Sequence, residues 1–138
     1  MQDITIGALT VGNDRPLTLI AGPCQLESLD HALTIAHRMA EACAAVGAQY
    51  VFKASYDKAN RTSVSGQRGL GIDAGLQVLA EVRAQVGCPV LTDVHAPEHC
   101  ALAAQAVDIL QIPAFLCRQT DLLVLPGHSA RGRGHPSE

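Results

Sequence analysis

The sequence predicts an α/β protein built on a parallel β-sheet. Along most of the 138 residues, short apolar runs alternate with longer segments of helical periodicity. Hydrophobic residues make up 48% of the chain and aromatic residues only 3%, so the core must consist mainly of aliphatic side chains. Strands that alternate with helices imply parallel pairing through right-handed crossovers. The length fits one domain.

A short hairpin is predicted before the alternating part. Ile4–Ile6 and Leu9–Val11 have the pattern of short strands, Gly7-Ala8 lies between them, and turn residues follow at 12–14. We therefore predict a hairpin in residues 1–14 and the main α/β body in residues 15–124.

The main body is predicted to contain four strands, each followed by a helix. The first strand, Leu17 to Ala21, is apolar throughout and ends in a tight turn. Ser28 is a suitable N-cap for the first helix, and Gly47 suits its C-terminal end. Asp73 is predicted to cap the second helix, and Pro97 to open the third. The other elements are strands at 49–54, 90–94 and 107–112 and a fourth helix that begins near 118–121.

Polar side chains follow each predicted strand at the point where it ends. They are Cys24 after the first strand, Lys53 and Ser55 after the second, Asp93 and His95 after the third, and Gln111 after the fourth. Because parallel α/β sheets carry their sites at the carboxyl ends of the strands, these side chains are candidates for one site.

A polar segment, residues 52–63, interrupts the second βα unit. Four of the ten Lys and Arg residues lie between Lys53 and Arg68, although the whole chain has a formal net charge of −3. Cations gathered at the end of a buried strand suit an anionic ligand such as a phosphate or a carboxylate. An ordinary exposed basic loop is the alternative, and composition alone does not separate the two.

Composition argues against several classes of partner. The negative net charge gives no reason to expect a nucleic acid or an anionic membrane as partner. We predict no signal peptide at the N-terminus and no apolar run of membrane-spanning length. The five cysteines are odd in number and widely spaced, which indicates reduced thiols in the cytoplasm.

Two sets of side chains are interpreted as structural. Cys43, Cys88, Cys100 and Cys117 are expected to be small core residues. His95 and the histidine at position 99 have i,i+4 spacing, but a proline begins the helix between them. We therefore do not expect that pair to bind a metal.

The last segment, residues 125–138, has a different character. It contains prolines, glycines and cations without helical periodicity, and it interrupts a helix that has only begun. A natural flexible tail is one interpretation. We favour the other, in which these residues do not derive from the ancestral protein.

Five motifs follow one another along the chain. They are IAGPCQLES (20–28), YVFKASYDKANRTS (50–63), RGLG (68–71), LTDVH (91–95) and LQIPAFLCRQTDLL (110–123). In this order they resemble the first half of the family of 3-deoxy-8-phosphooctulonate synthases, also called 2-dehydro-3-deoxyphosphooctonate aldolases. The segment KANR distinguishes this family from the related 3-deoxy-arabino-heptulosonate 7-phosphate synthases.

The resemblance implies a fold and a reaction. The fold would be a (β/α)8 TIM barrel with an N-terminal β-hairpin, of which only about the first four βα units are present, and the family forms homotetramers. The reaction would be the condensation of phosphoenolpyruvate with D-arabinose 5-phosphate, which provides a precursor of bacterial lipopolysaccharide. Since the resemblance covers only the first half of the barrel, a chain with little or no activity of its own is the alternative.

The resemblance also assigns residues to phosphoenolpyruvate. Lys53 and Ser55 would hold this substrate, with Gln111 and the backbone near Ala114 beside its phosphate. Fixed cations and hydrogen-bond donors are what a phosphate and a carboxylate require.

A second group of residues would serve arabinose 5-phosphate and the chemical step. Asn60 and Arg61 would hold the sugar phosphate, with Lys58 between the two substrates. Asp93 would line the site near the reacting carbons, and Arg118 would reach a sugar phosphate across a subunit interface. Lys58, Asn60 and Asp93 are the residues expected to be catalytic.

Cys24 is the expected metal ligand. The family has a class that carries Cys at this position and binds a divalent metal, here zinc, manganese or iron, and a class that carries Asn and needs none. One thiolate does not make a metal site. The family's other ligands would lie in the half of the barrel that this chain lacks.

Overall fold

The computed structural model describes residues 3–57 and 70–124, and these residues form a mixed α/β fold. An antiparallel hairpin precedes a four-stranded parallel sheet, which confirms the prediction of an α/β protein built on a parallel sheet. The strands are β1 (Ile4–Ile6), β2 (Leu9–Val11), β3 (Thr18–Ala21), β4 (Gln49–Lys53), β5 (Val90–Asp93) and β6 (Ile109–Gln111). The helices are α1 (Leu29–Ala45), α2 (Ile72–Val86) and α3 (Pro97–Ala106), and a 3-10 turn lies at Ala114–Leu116.

The parallel sheet has its strands in the order of the sequence, β3-β4-β5-β6. Each strand therefore pairs only with strands that are its neighbours along the chain, as in a segment of a (β/α) barrel. A doubly wound sheet instead reverses its order at a switch point. The observed order is compatible with part of a barrel.

Helix α1 begins and ends where its sequence predicts. The Ser28 hydroxyl oxygen accepts a hydrogen bond from the backbone N–H of His31 at 3.1 Å, which makes Ser28 the N-cap. Gly47 follows Val46, the C-cap residue of the helix, and has φ +68°, a left-handed conformation that glycine adopts without steric cost. Both predictions are confirmed.

The start of α2 differs from the prediction. This helix begins at Ile72, and its N-cap is Gly71, which has no side chain to cap it. The prediction that Asp73 is the cap is therefore wrong. Asp73 lies in the first turn, where a carboxylate still interacts favourably with the helix dipole.

The last strand is shorter than predicted because residues before it have other roles. Val107 ends α3, and the Asp108 carboxylate accepts a hydrogen bond from the Val90 backbone N–H at 2.9 Å. Asp108 also pairs with Arg83 at 3.5 Å. After β6, residues 120–124 form the start of the fourth predicted helix.

The core lies between the sheet and its helices. Phe52, Leu79 and Val90 are completely buried there. Three of the four cysteines that we predicted as core residues are buried, but Cys117 is exposed in a surface turn, so that prediction is wrong. None of the helices in residues 3–57 and 70–124 has the length and the apolar character needed to cross a membrane.

The hairpin lies at the amino ends of the sheet strands. The Gln49 side chain, at the start of β4, donates hydrogen bonds to the carbonyl oxygens of Thr10 at 3.0 Å and Pro16 at 3.1 Å. This end is opposite to the carboxyl ends, where the predicted site residues are found.

Candidate active site

The carboxyl ends of the four parallel strands lie side by side along one edge of the sheet. Lys53 and Asp93 are the last residues of β4 and β5, and Gln111 is the last residue of β6. Asp93 is the register partner of Gln111, so these two residues are direct neighbours. Cys24 is exposed in the turn after β3.

Hydrogen bonds connect the segments beyond the strand ends. The Ser55 carbonyl oxygen accepts from the Leu26 N–H at 2.9 Å, and Gln25 forms an isolated parallel bridge with Ser55. The Thr92 hydroxyl donates to the Ala54 carbonyl at 2.8 Å. These bonds hold the backbone of the site in place before any ligand binds, which limits reorganisation on binding.

Asp93 and His95 form a pair in this region. Asp93 Oδ2 lies 3.1 Å from His95 Nε2, and the side chains are only 13% and 15% exposed. Asp93 Oδ1 and His95 Nδ1 are both buried, and neither has a hydrogen-bond partner within the described residues. Because buried polar atoms are almost always paired, these two atoms indicate a place where a polar ligand group or a water molecule binds.

Tyr56 lies behind this pair and is 1% exposed. Its ring meets the rings of His95 and His99 edge-on, at centroid distances of 5.4 and 5.8 Å. Its hydroxyl oxygen is 3.0 Å from His99 Nδ1. Burial raises the pKa of Tyr56 to about 12; a backbone hydrogen bond at His95 opposes the rise, and the negative charge of Asp93 adds to it. The phenol is therefore neutral at physiological pH and remains a hydrogen-bond donor.

The four residues predicted for phosphoenolpyruvate all lie within the described part of the chain. Lys53 is partly exposed, Ser55 is buried, and Gln111 and Ala114 are exposed. Arg118, predicted for the sugar phosphate, is exposed in the turn that follows the 3-10 helix. The other predicted site residues, Lys58, Asn60 and Arg61, lie outside the described residues, as do residues 125–138.

The described residues do not make a complete metal site. Within residues 3–57 and 70–124, no group of three or more His, Cys, Asp and Glu side chains is arranged to hold a metal ion. Cys24 offers one exposed thiol. His95 Nε2 faces Asp93, and His99 Nδ1 is bonded to Tyr56, so one nitrogen of each ring is already engaged. A metal bound through Cys24 requires further ligands.

Sequence reasoning missed the part that Tyr56 and His99 play in this arrangement. Their contact joins residues 43 positions apart, so no local periodicity reveals it. The available signal was an aromatic residue within the polar segment that follows β4. His95 was identified as a strand-end residue but was not expected to contact Tyr56.

The fold and the site define a class: parallel α/β proteins that carry a polar site at the carboxyl ends of their strands. The profile of the DAHP synthetase I family matches residues 3–131, and the chain belongs to that family.

The names of similar curated proteins agree with the family that the motifs indicate. Proteins named 2-dehydro-3-deoxyphosphooctonate aldolase are similar to this chain. The Rickettsia bellii protein is 58% identical over 120 residues, which cover 87% of this chain and 44% of the relative. The Methylobacterium radiotolerans protein is 59% identical over 128 residues, which cover 93% of this chain and 45% of the relative. The Bradyrhizobium diazoefficiens protein is 59% identical over 121 residues, which cover 88% of this chain and 43% of the relative. The chain thus spans less than half the length of these relatives.

Proposed function

We propose that this chain provides the first half of a transferase that condenses phosphoenolpyruvate with D-arabinose 5-phosphate. The products would be 3-deoxy-D-manno-octulosonate 8-phosphate and inorganic phosphate. The observation that carries the proposal is the Asp93–His95 pair with its two unpartnered polar atoms, beside Lys53 and Gln111 at one sheet edge. The relatives' shared name supports this reaction.

The sequential strand order supports our proposal that the complete fold is a (β/α)8 barrel. The four parallel strands would be the first four strands of a (β/α)8 barrel, and the hairpin would cover its amino-terminal end. In such a barrel the strand ends meet around a central site. Residues on β4, β5 and β6 would then face one shared substrate.

The chemistry needs these residue types. Carbon 3 of phosphoenolpyruvate attacks the aldehyde carbon of the sugar, water adds at carbon 2, and the phosphate leaves. Lys53 would bind the phosphoenolpyruvate anion, with Ser55, Gln111 and the backbone at Ala114 as hydrogen-bonding groups. Cations that are fixed before the reaction stabilise the developing charge without the cost of reorganising solvent.

The sugar phosphate would be held by residues of the polar segment. Asn60 and Arg61 would bind arabinose 5-phosphate, and Lys58 would lie between the substrates. Arg118 is exposed, which suits the proposed contact with a sugar phosphate in a neighbouring subunit. Arg is suited to this task because its planar guanidinium binds phosphate through two parallel hydrogen bonds.

A direct assay tests the proposal. Phosphate release is measured with the purified chain, phosphoenolpyruvate and arabinose 5-phosphate, with and without manganese or zinc, beside a full-length relative. We expect weak but saturable turnover that requires both substrates. If the chain binds the substrates but shows no turnover, while the relative is active, the chain is a non-catalytic half of the fold.

The family description favours a second candidate, a 3-deoxy-arabino-heptulosonate 7-phosphate synthase activity. The KANR segment and the relatives' names favour the octulosonate reaction instead. The two differ in the aldehyde that they accept. A preference for erythrose 4-phosphate over arabinose 5-phosphate in the same assay would establish the second candidate.

We also propose that Cys24 is one ligand of a divalent metal ion, zinc, manganese or iron, with the remaining ligands supplied from outside the described residues. The exposed thiol beside the strand ends supports this assignment. When bound, such a metal would act as a Lewis acid near the substrates. Thiolate selects zinc and iron over magnesium and calcium.

Replacement of Cys24 by Ser is expected to remove the thiolate-to-cobalt charge-transfer absorption of the cobalt-loaded chain. Metal content and this absorption are measured together, so that the test does not depend on turnover. Cys117→Ser is the matched control, since Cys117 is also exposed. Equal spectra for the two variants would refute the role of Cys24.

We propose in addition that the chain forms homo-oligomers and acts in the cytoplasm. The apolar side chains of Leu17, Leu19 and Ile20 are exposed on or beside β3, which is an edge strand of the sheet. Such a surface is a common site of self-association. The five free cysteines suit a reducing compartment.

Ile20→Thr is expected to shift the chain towards smaller species in light scattering coupled to gel filtration. Threonine keeps a β-branched side chain but removes apolar surface. Ile4→Thr is the control, because Ile4 is 62% exposed on the separate hairpin. A wild-type chain that is monodisperse and monomeric would contradict the proposal.

A further inference from the structure

Tyr56 connects two segments that the proposed function treats separately, the segment after β4 and the first turn of α3. We propose that Tyr56 is a positioning residue that fixes the imidazole of His95 against Asp93, so that the pair presents two hydrogen-bond acceptors to hydroxyl groups of the substrate. The consequence for turnover rests on the proposed function. The geometric claim can be tested without it.

The orientation of His95 is set from two sides. The Tyr56 ring lies perpendicular to the imidazole, with an interplanar angle of 90° and a centroid distance of 5.4 Å. Asp93 Oδ2 meets Nε2 of the same imidazole at 3.1 Å. An edge-on aromatic contact is attractive in this geometry, and together the two contacts restrict rotation of the His95 ring.

Tyr56 can hold this position because it is itself anchored. Its side chain is almost completely buried, and helix α2 approaches it closely at Gly75, where an added Cβ would lie 2.5 Å from the Tyr56 Cβ. The hydroxyl is 3.0 Å from His99 Nδ1 on α3. Since the phenol remains protonated, it donates to Nδ1 when the neutral His99 carries its proton on Nε2.

The two unpartnered atoms of the Asp93–His95 pair, Asp93 Oδ1 and His95 Nδ1, can then both act as hydrogen-bond acceptors. When His95 is neutral and donates from Nε2–H to Asp93, its Nδ1 is an acceptor. Asp93 Oδ1 is also an acceptor, and both atoms are buried without a partner in the described part of the chain. Two free acceptors on one pair of side chains suit a ligand that carries O–H donors, which a sugar phosphate has and phosphoenolpyruvate at neutral pH lacks.

The test compares the two tyrosines of the chain. Tyr56→Phe keeps the ring that contacts His95 but removes the hydroxyl that anchors this ring to His99. Tyr50→Phe is the matched control, because Tyr50 is also buried and its hydroxyl donates to the Ala21 carbonyl at 3.0 Å. Nitrogen-15 spectra of the histidine imidazoles of the full chain report which ring nitrogen carries the proton in each variant.

In the wild type we expect His95 to show a single tautomer, protonated at Nε2. Tyr56→Phe should convert His95 to a mixture of tautomers, whereas Tyr50→Phe should leave it unchanged. His99→Gln offers an amide oxygen to the Tyr56 hydroxyl and should preserve the wild-type His95 signal, while His99→Ala should not. An unchanged His95 spectrum in Tyr56→Phe, or an equal change in Tyr50→Phe, would overturn the proposal.

Kinetics provide the second readout where the chain turns over. Tyr56→Phe is expected to lower kcat roughly tenfold with KM nearly unchanged, because misplaced groups act mainly on the transition state. Tyr50→Phe should change kcat less than about twofold by the same argument. If the wild type shows no turnover, the proposed function fails, but the His95 spectra still decide the role of Tyr56.

Discussion

Replacement of Asp93 by Asn is expected to lower kcat for phosphate release by about a hundredfold or more, which is typical for the loss of an electrostatic or acid–base group. The substitution keeps the size of the side chain but removes the charge that faces His95 Nε2 at 3.1 Å. It also replaces one acceptor atom by a donor. The measurement is kcat and KM for both substrates, together with the thermal midpoint of unfolding.

Asp108→Asn is the matched control for this prediction. Asp108 belongs to the amino-terminal end of the sheet, where its carboxylate accepts from the Val90 N–H and pairs with Arg83. We expect Asp108→Asn to lower the unfolding midpoint while turnover per folded molecule stays the same. If both substitutions reduced stability equally and turnover equally, Asp93 would have only a structural role.

Gly22→Ala is expected to destabilise the fold by about 3 kcal/mol, the upper end of the usual cost of overpacking. A Cβ at position 22 would collide with the backbone carbonyl of Lys53. The obstacle is backbone, so no change of side-chain rotamer relieves it. The free energy of unfolding is measured by urea denaturation, and residual turnover is followed because Lys53 belongs to the candidate site.

Gly47→Ala is the control. It shows how much stability is lost when a glycine is replaced without a collision between the new Cβ and another atom. Gly47 has φ +68°, but no atom lies within 4 Å of the position that a Cβ would take. Left-handed strain alone should cost about 1 kcal/mol. A Gly22→Ala variant as stable as Gly47→Ala would show that the strand ends are not packed as closely as described.

Much of the fold was predictable because each element carries its own local signal. The apolar run of β3, the Ser28 cap and Gly47 can each be recognised within a few residues of sequence. Their alternation then implies a parallel sheet. The failure at Asp73 has a physical cause: Gly71 and Asp73 compete to begin the helix, and nothing in the local sequence decides between them.

The candidate site was predictable in part for the same reason. Lys53, Asp93 and Gln111 could be identified because each ends a strand, and strand ends converge in a parallel sheet. The Tyr56–His99 bond could not, since it depends on how α3 packs against the segment after β4. Likewise Cys117 resembled a core residue, but the short 3-10 turn before it leaves it at the surface.

The sequential order of β3, β4, β5 and β6 also has a consequence for folding kinetics. Each strand finds its partner across a single crossover, so no pairing has to wait for a distant part of the chain. During synthesis, the edge of the strand already docked becomes the template for the next strand that leaves the ribosome. Assembly can therefore proceed in the direction of translation, one βα unit at a time, beginning with β3, α1 and β4.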